Sequence, residues 1–351
     1  MNKSRRWLWA ALPLCLAAAA AFAYFVYPGS VVCVDLYWTA LIESRLVDPG
    51  RDQYPWTVAV DWSPDGKTLV SSGYHHDVFL WDVESGTLRR RLRGHAMWVQ
   101  EAIYSPDGET IATADWGGKV MLWDAATGAP RHELQADGEL FSVAFHPTEP
   151  LLAAGSYEGR VTLFDLNTGL VRQSLAGNEG GVLFLSFSPD GSRLAVAGED
   201  TRIHVRETIN YSIVAQLTGH TAGITSLSFS PDGRQLLSSG DDGTIRLWNV
   251  AEARLERTWQ ADRDWINFLT FLPDGRGFLS AAANRRVQLW DVDRAEPRRS
   301  WDIHRDWAQC VRVSRDGRRF ASCDKSGLIC VVNLASGEVE RTIDVGAVLS
   351  P

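Results

Sequence analysis

Past residue 52 the chain is a succession of segments, five to seven residues long, in which apolar and polar positions alternate and each segment ends at a turn signal. Ile224 to Ser230 alternates and runs into Pro231-Asp232-Gly233; Gln235 to Ser239 follows; Asp241-Asp242-Gly243 leads into Thr244 to Val250; Arg254 to Gln260 closes the unit. A period of two is the signature of a half-buried strand, so this stretch predicts four strands joined by tight turns. Proline presets the φ that opens such a turn, and glycine accepts the positive φ that reverses the chain. The aspartates between them are therefore expected to form turns, not a carboxylate cluster.

The unit recurs. Ser63-Pro64-Asp65-Gly66 returns as Ser105-Pro106-Asp107-Gly108, His146-Pro147-Thr148-Glu149, Ser188-Pro189-Asp190-Gly191, Ser230-Pro231-Asp232-Gly233, Leu272-Pro273-Asp274-Gly275 and Ser314-Arg315-Asp316-Gly317, at steps of 42, 41, 42, 42, 42 and 42 residues. A constant period near this length is that of a four-stranded propeller blade, and seven copies predict an all-β, seven-bladed β-propeller over residues 52–351. Both ends of that segment read as complete: Gly337 to Asp344 can supply the seventh blade's outer strand, and the first inner strand begins near Trp56. The ring is thus expected to close by packing of the seventh blade against the first.

These repeats resemble the WD-repeat propeller family. Trp81-Asp82, Trp123-Asp124, Phe164-Asp165, Trp248-Asn249 and Trp290-Asp291 stand at the family's Trp-Asp position, and Gly94-His95 and Gly219-His220 match its Gly-His signature. The resemblance implies a buried hydrogen-bonded tetrad of His, Ser or Thr, Asp and Trp within a blade. His220, Ser238, Asp242 and Trp248 supply all four in the fifth blade. The second has His95, Thr113 and Trp123 but Gly117 where the Asp belongs; the fourth has Arg206, and the seventh Val332, in place of the Trp. In this reading the Ser, His and Asp of the tetrad are structural and not a catalytic triad.

Strand parity places the a-to-b and c-to-d turns on one face and the b-to-c turns and d-to-a connections on the other. Seven residues before each Ser-Pro-Asp-Gly serine or its equivalent stand Trp56, Trp98, Glu139, Gly181, Gly223, Trp265 and Trp307. Four are tryptophan, on the contiguous sixth, seventh, first and second blades. Tyr74, Trp116 and Tyr157 occupy the b-to-c turns of the first three. Arg263 and Arg305 precede two of the tryptophans in a repeated Arg-Asp-Trp triplet, and Tyr54 holds the same place before Trp56. Aromatic residues and Arg dominate interaction hot spots. This arc is expected to contact a partner protein on the d-a and b-c face, where proteins of the resembling family commonly receive partners; the competing reading is that its tryptophans plug the channel mouth or pack between blades. Trp81, Trp123, Trp248 and Trp290 on the third strands, and Trp259 and Trp301 on the fourth, read as core.

The first residues differ from everything after them. Lys3, Arg5 and Arg6 precede an uncharged stretch from Trp7 to Tyr27, long enough to cross a bilayer as a helix of roughly 30 Å. Residues 1–29 thus predict one N-terminal transmembrane or signal helix and 30–51 a linker. An uncleaved anchor would leave the N-terminus in the cytoplasm and hold the propeller on the extracytoplasmic side. Cleavage after Ala21-Phe22-Ala23, a small-x-small triplet, would release a secreted or periplasmic chain instead.

Composition removes other classes. The chain carries 35 Lys and Arg against 43 Asp and Glu, a net charge of −8, with no basic block in its soluble part, which argues against nucleic acid. No nucleophile elbow, His-Glu-x-x-His, Cys-x-x-Cys or phosphate-binding Gly-x-x-x-x-Gly-Lys-Ser/Thr loop is present, and neither a metal nor a cofactor is expected. His75 and His76 are adjacent in one hairpin and point apart; His132 and His146 are isolated. Cys310 is expected opposite Cys323 on neighbouring strands, a placement that strains a disulfide. The expected function is a non-enzymatic, membrane-tethered protein-interaction scaffold. The alternatives are a glycan-binding propeller, stacking sugars on the same tryptophans, and a propeller enzyme, which would need converging acids, metal ligands or a cofactor in the channel, none of which the sequence shows.

Overall fold

The computed structural model describes residues 55–261 and 264–349. Twenty-eight strands form seven four-stranded antiparallel sheets, each built from consecutive strands of one repeat. In the fifth blade the strands are Ile224–Phe229, Gln235–Gly240, Thr244–Asn249 and Arg254–Gln260, called a to d from the channel outwards. Burial falls across them as the sheet faces dictate: strand b is buried almost throughout, whereas strand d alternates exposed positions with one anchoring apolar residue, Trp259. The sheets bury mostly aliphatic side chains between blades, and this apolar area is the main stabilising contribution.

The turn aspartates behave as their sequence context demands. Gly66 donates its N–H to the Ser63 carbonyl at 2.8 Å with φ of 69°, while Asp65 accepts from the Ser63 hydroxyl at 2.7 Å and from the Lys67 N–H at 3.0 Å. In the third blade His146 replaces the serine. Its Nδ1 accepts from the Glu149 N–H at 2.9 Å, so Nε2 carries the proton donated to the Gly191 carbonyl at 2.9 Å. Each inner strand carries a β-bulge one residue after its start, which turns an extra side chain toward the channel mouth.

The ring closes between the seventh blade and the first. Trp62 Nε1 donates to the Arg312 carbonyl at 2.9 Å, and Arg319 to the Gly66 carbonyl at 2.9 Å. All four strands of the seventh blade come from its own repeat. Elsewhere on the rim an arginine of one strand d reaches a c-d turn carbonyl of the next blade: Arg90 to Ala126, Arg257 to Val292 and Arg299 to Ser336.

Cys310 pairs directly with Cys323 across strands a and b, and both, with Cys330, are buried free thiols. The expected helix of residues 1–29, the linker 30–51, Tyr54 and Arg263 lie outside the described residues. No described helix is long and apolar enough to cross a membrane.

Candidate functional site

One hydrogen bond repeated in every blade builds the channel mouth on the d-a and b-c face. The second residue of each b-c turn donates its N–H to the carbonyl of the residue preceding strand a. The pairs are Tyr74 with Trp56, Trp116 with Trp98, Tyr157 with Glu139, Glu199 with Gly181, Asp241 with Gly223, Ala283 with Trp265 and Lys325 with Trp307, at 2.8 to 3.2 Å. The two sets of positions singled out in the sequence are thus partners, fourteen residues in one ring.

Over five blades that ring is a continuous aromatic crescent. Trp265 meets Trp307 edge-on at 5.4 Å between centroids. Lys325 Nζ lies 3.9 Å from the Trp307 ring centroid and 5.1 Å from that of Trp56, a cation held between two indoles. Trp56 then touches Tyr74 at 5.3 Å, Tyr74 stacks on Trp98 at 4.7 Å, Trp98 meets Trp116 at 5.0 Å, and Phe141 links Trp116 to Tyr157 at 6.2 and 5.6 Å. Trp56, Tyr74, Trp265, Trp307, Phe141 and Tyr157 are half-buried.

Trp98 departs from its expected place as a contact residue. It is fully buried, because Tyr74 lies flat against it and Trp116 covers another side. Trp116 is itself only 7% exposed, and its indole N–H is buried without a hydrogen-bond partner. These two are the floor of the crescent and not its surface. Arg305 is exposed at the rim, 3.3 Å from Asp344. Phe141 and Lys325 were missed: the first is the bulge residue of its strand, and the second fills the turn position of Tyr74, so only it could be found by extending the alignment.

The tetrads also need a correction. The fifth is as expected: His220 Nε2 meets Ser238 Oγ at 2.7 Å, its Nδ1 meets Asp242 at 2.9 Å, and Trp248 Nε1 donates to Ser238 at 2.8 Å. Burial opposes ionisation of Asp242, yet the hydrogen bond and charge of His220 hold its carboxyl below the usual range. The second blade is complete too, because Asp115, two residues before Gly117, reaches His95 Nδ1 at 2.7 Å, while Thr113 joins His95 at 2.6 Å and Trp123 at 2.9 Å. In the seventh blade His304 Nε2 meets Ser322 Oγ at 2.8 Å and Asp324 stands 3.3 Å from its Nδ1, with Val332 in place of the Trp. The side chains of all these groups are buried within the blades, and none of them lines the cavity between the inner strands.

Acids do converge in the channel, contrary to the sequence reading. Toward the a-b turns a cavity of about 290 Å³ is lined by Asp61, Glu101 and Arg312 among apolar inner-strand residues. Arg312 reaches Glu101 at 3.3 Å. Each carboxylate caps the neighbouring blade's strand edge: Asp61 accepts the Tyr104 N–H at 2.9 Å and Glu101 the Val143 N–H at 2.7 Å. Burial pushes both carboxyls up against the pull of Arg312. Committed to backbone amides and to one arginine, they serve as inter-blade ties. No group of three or more His, Cys, Asp or Glu suited to a metal ion occurs among the described residues. His75 is buried with Nδ1 against the Asp77 carbonyl at 2.7 Å, and its burial lowers its pKa to about 4.

Seven four-stranded blades around a channel, with complete His–Ser/Thr–Asp–Trp latches in the second and fifth, define a WD-type propeller. The WD40 family model (WD domain, G-beta repeat) matches residues 52–82, 86–124, 211–249, 253–291 and 295–333, and the chain belongs to that family. Residues 143–222 are similar to the Anaphase-promoting complex subunit 4 WD40 domain.

Proposed function

We propose that this WD40 propeller is a non-catalytic interaction scaffold that binds a protein partner through the face carrying the d-a and b-c connections, and that its N-terminal segment tethers it to a membrane with the propeller on the extracytoplasmic side. Propellers of this family are typically protein-interaction scaffolds without enzymatic activity. The observation that carries the reading is the aromatic crescent from Trp265 to Tyr157, half-exposed over a buried floor of Trp98 and Trp116. Large rings held rigid by their neighbours present apolar area at little entropic cost, which is what hot spots require. The uncharged Trp7 to Tyr27 stretch, preceded by Lys3, Arg5 and Arg6, supports the tether and its orientation.

The test is cross-linked capture from native membranes with the intact chain. Trp307→Ala should lower capture by about tenfold or more while leaving the melting temperature nearly unchanged; an unchanged yield refutes the face. Protease added outside intact cells should digest the propeller, and recovery of chains beginning at Tyr24 would replace the anchor with a cleaved signal.

A further inference from the structure

The fourteen mouth positions are divided by chemistry as well as by shape. Opposite the crescent, on the third to fifth blades, they hold Glu139, Glu199 and Asp241, and Glu158 stands beside Glu139, its carboxylate against the Glu139 N–H at 3.4 Å. The one cation in the ring, Lys325, is on the far side between Trp56 and Trp307. Gly181 and Gly223 complete the acidic half. A Cβ at Gly223 would come within 3.3 Å of the Asp241 carboxylate, so glycine at that position adds no side chain beside it. Tyr157 joins the halves by donating its hydroxyl to Glu199 at 3.2 Å.

From this division, resting on the proposed use of the face, we infer that the partner presents a basic segment: an apolar residue seats on the half-exposed indoles while Lys or Arg side chains enter the carboxylate sector. Charge complementarity selects this occupant. The carboxylates of Glu139, Glu158 and Glu199 repel an acidic segment and give a neutral one nothing in return for their desolvation. Burial and the charge of Glu158 push the Glu139 carboxyl up, a repulsion that a bound cation relieves. The net charge of −8 adds long-range attraction for the same class of partner.

The probe is an acetylated, amidated hexapeptide alternating leucine and arginine, compared with the same peptide carrying glutamine for arginine, titrated into the full-length protein by calorimetry and indole fluorescence. The arginine peptide should bind at least about fivefold more tightly than the glutamine one, and weaken as salt rises from about 0.1 to about 1 M. Glu139→Gln with Glu158→Gln, both exposed, should remove most of that preference, and Trp307→Ala should weaken both peptides. Glu84→Gln with Glu109→Gln, on the opposite face, should change nothing. Equal binding of the two peptides, absence of binding, or equal weakening by the opposite-face pair overturns the inference. Should Trp307→Ala abolish capture of the cellular partner while the peptides fail, the face stands and only the basic partner falls; should it spare capture, the face itself is wrong.

Discussion

The fifth and fourth blades share a length, a strand order and a register, and differ in nearly every polar residue that latches a blade. In the fifth, Trp248, Ser238, His220 and Asp242 form one chain of hydrogen bonds, and Arg257 and Trp259 on strand d reach carbonyls of the sixth blade. The fourth has Val196 where the serine stands, Asn178 for the histidine and Arg206 for the tryptophan. Its polar groups are routed differently: Asn178 donates to Asp200 at 2.7 Å and accepts from His204 at 3.0 Å, and Gln216 meets His204 at 2.8 Å. Arg206, only 8% exposed, donates to the Tyr211 carbonyl at 2.9 Å and to that of Ala176. A guanidinium thus fills the volume of an indole and ties carbonyls that the indole would not reach. Burial lowers its pKa.

Both blades fold, because Leu194, Ala195, Ile203 and Val205 are as deeply buried as their counterparts Leu236, Leu237, Ile245 and Leu247. The latch adds to packing that already exists. On its outside the fourth blade is the less protected. Ala215 stands on strand d where Arg257 stands in the fifth, Ile213–Thr218 is an edge without a single charge, and Ile209 at its c-d turn is 91% exposed. Charge on an edge strand discourages pairing with other chains, so the two rims differ in kind as well as in strength.

Trp248→Ala breaks the comparison most severely. It removes a fully buried indole and leaves Ser238 without its donor, so stability measured by denaturant unfolding should fall by about 3 to 5 kcal/mol. Asp242→Asn should cost about 1 to 3 kcal/mol at neutral pH and should also flatten the acid limb. The native carboxyl lies below its usual value of 3.8, so its contribution is present above that pH and lost as pH falls beneath it; the asparagine variant should lose less stability there. If both proteins show the same acid slope, His220 does not hold that carboxylate.

Converting the fourth blade toward the fifth is the sharper test. Arg206→Trp alone should destabilise, since the new N–H would face Val196; adding Val196→Ser should recover about 1 kcal/mol beyond additivity in a double-mutant cycle. Additive effects would mean that the indole cannot reach the serine in that blade. The smallest change is expected at the rim. Arg257→Ala should cost about 0.5 to 1 kcal/mol, and Ala215→Arg should leave stability within about 0.5 kcal/mol while reducing any self-association seen by sedimentation.

Much of this was written in the sequence because it is local and repeated. The 42-residue step, the Pro-Asp-Gly turns and the period-two alternation determine strands, turns and blade count without reference to distant residues, and strand parity then assigns each turn to a face. Position counting alone collected Trp56, Trp265 and Trp307 with Tyr74 and Tyr157: Trp265 meets Trp307 and Trp56 meets Tyr74, while Lys325 and Phe141 supply the remaining links. What depends on contacts between blades could not be read in the same way. That Trp98 is floor and Trp307 surface follows from which ring lies over which, and no residue type encodes that order. Asp115 replaces the aspartate missing at Gly117 because a turn brings a carboxylate from two residues earlier to the same imidazole, so geometry satisfied a requirement that residue-by-residue matching recorded as unmet. Asp61, Glu101 and Arg312 are up to 251 positions apart and belong to three repeats. Only the closing of the ring brings them to one cavity, where burial makes their pairing obligatory.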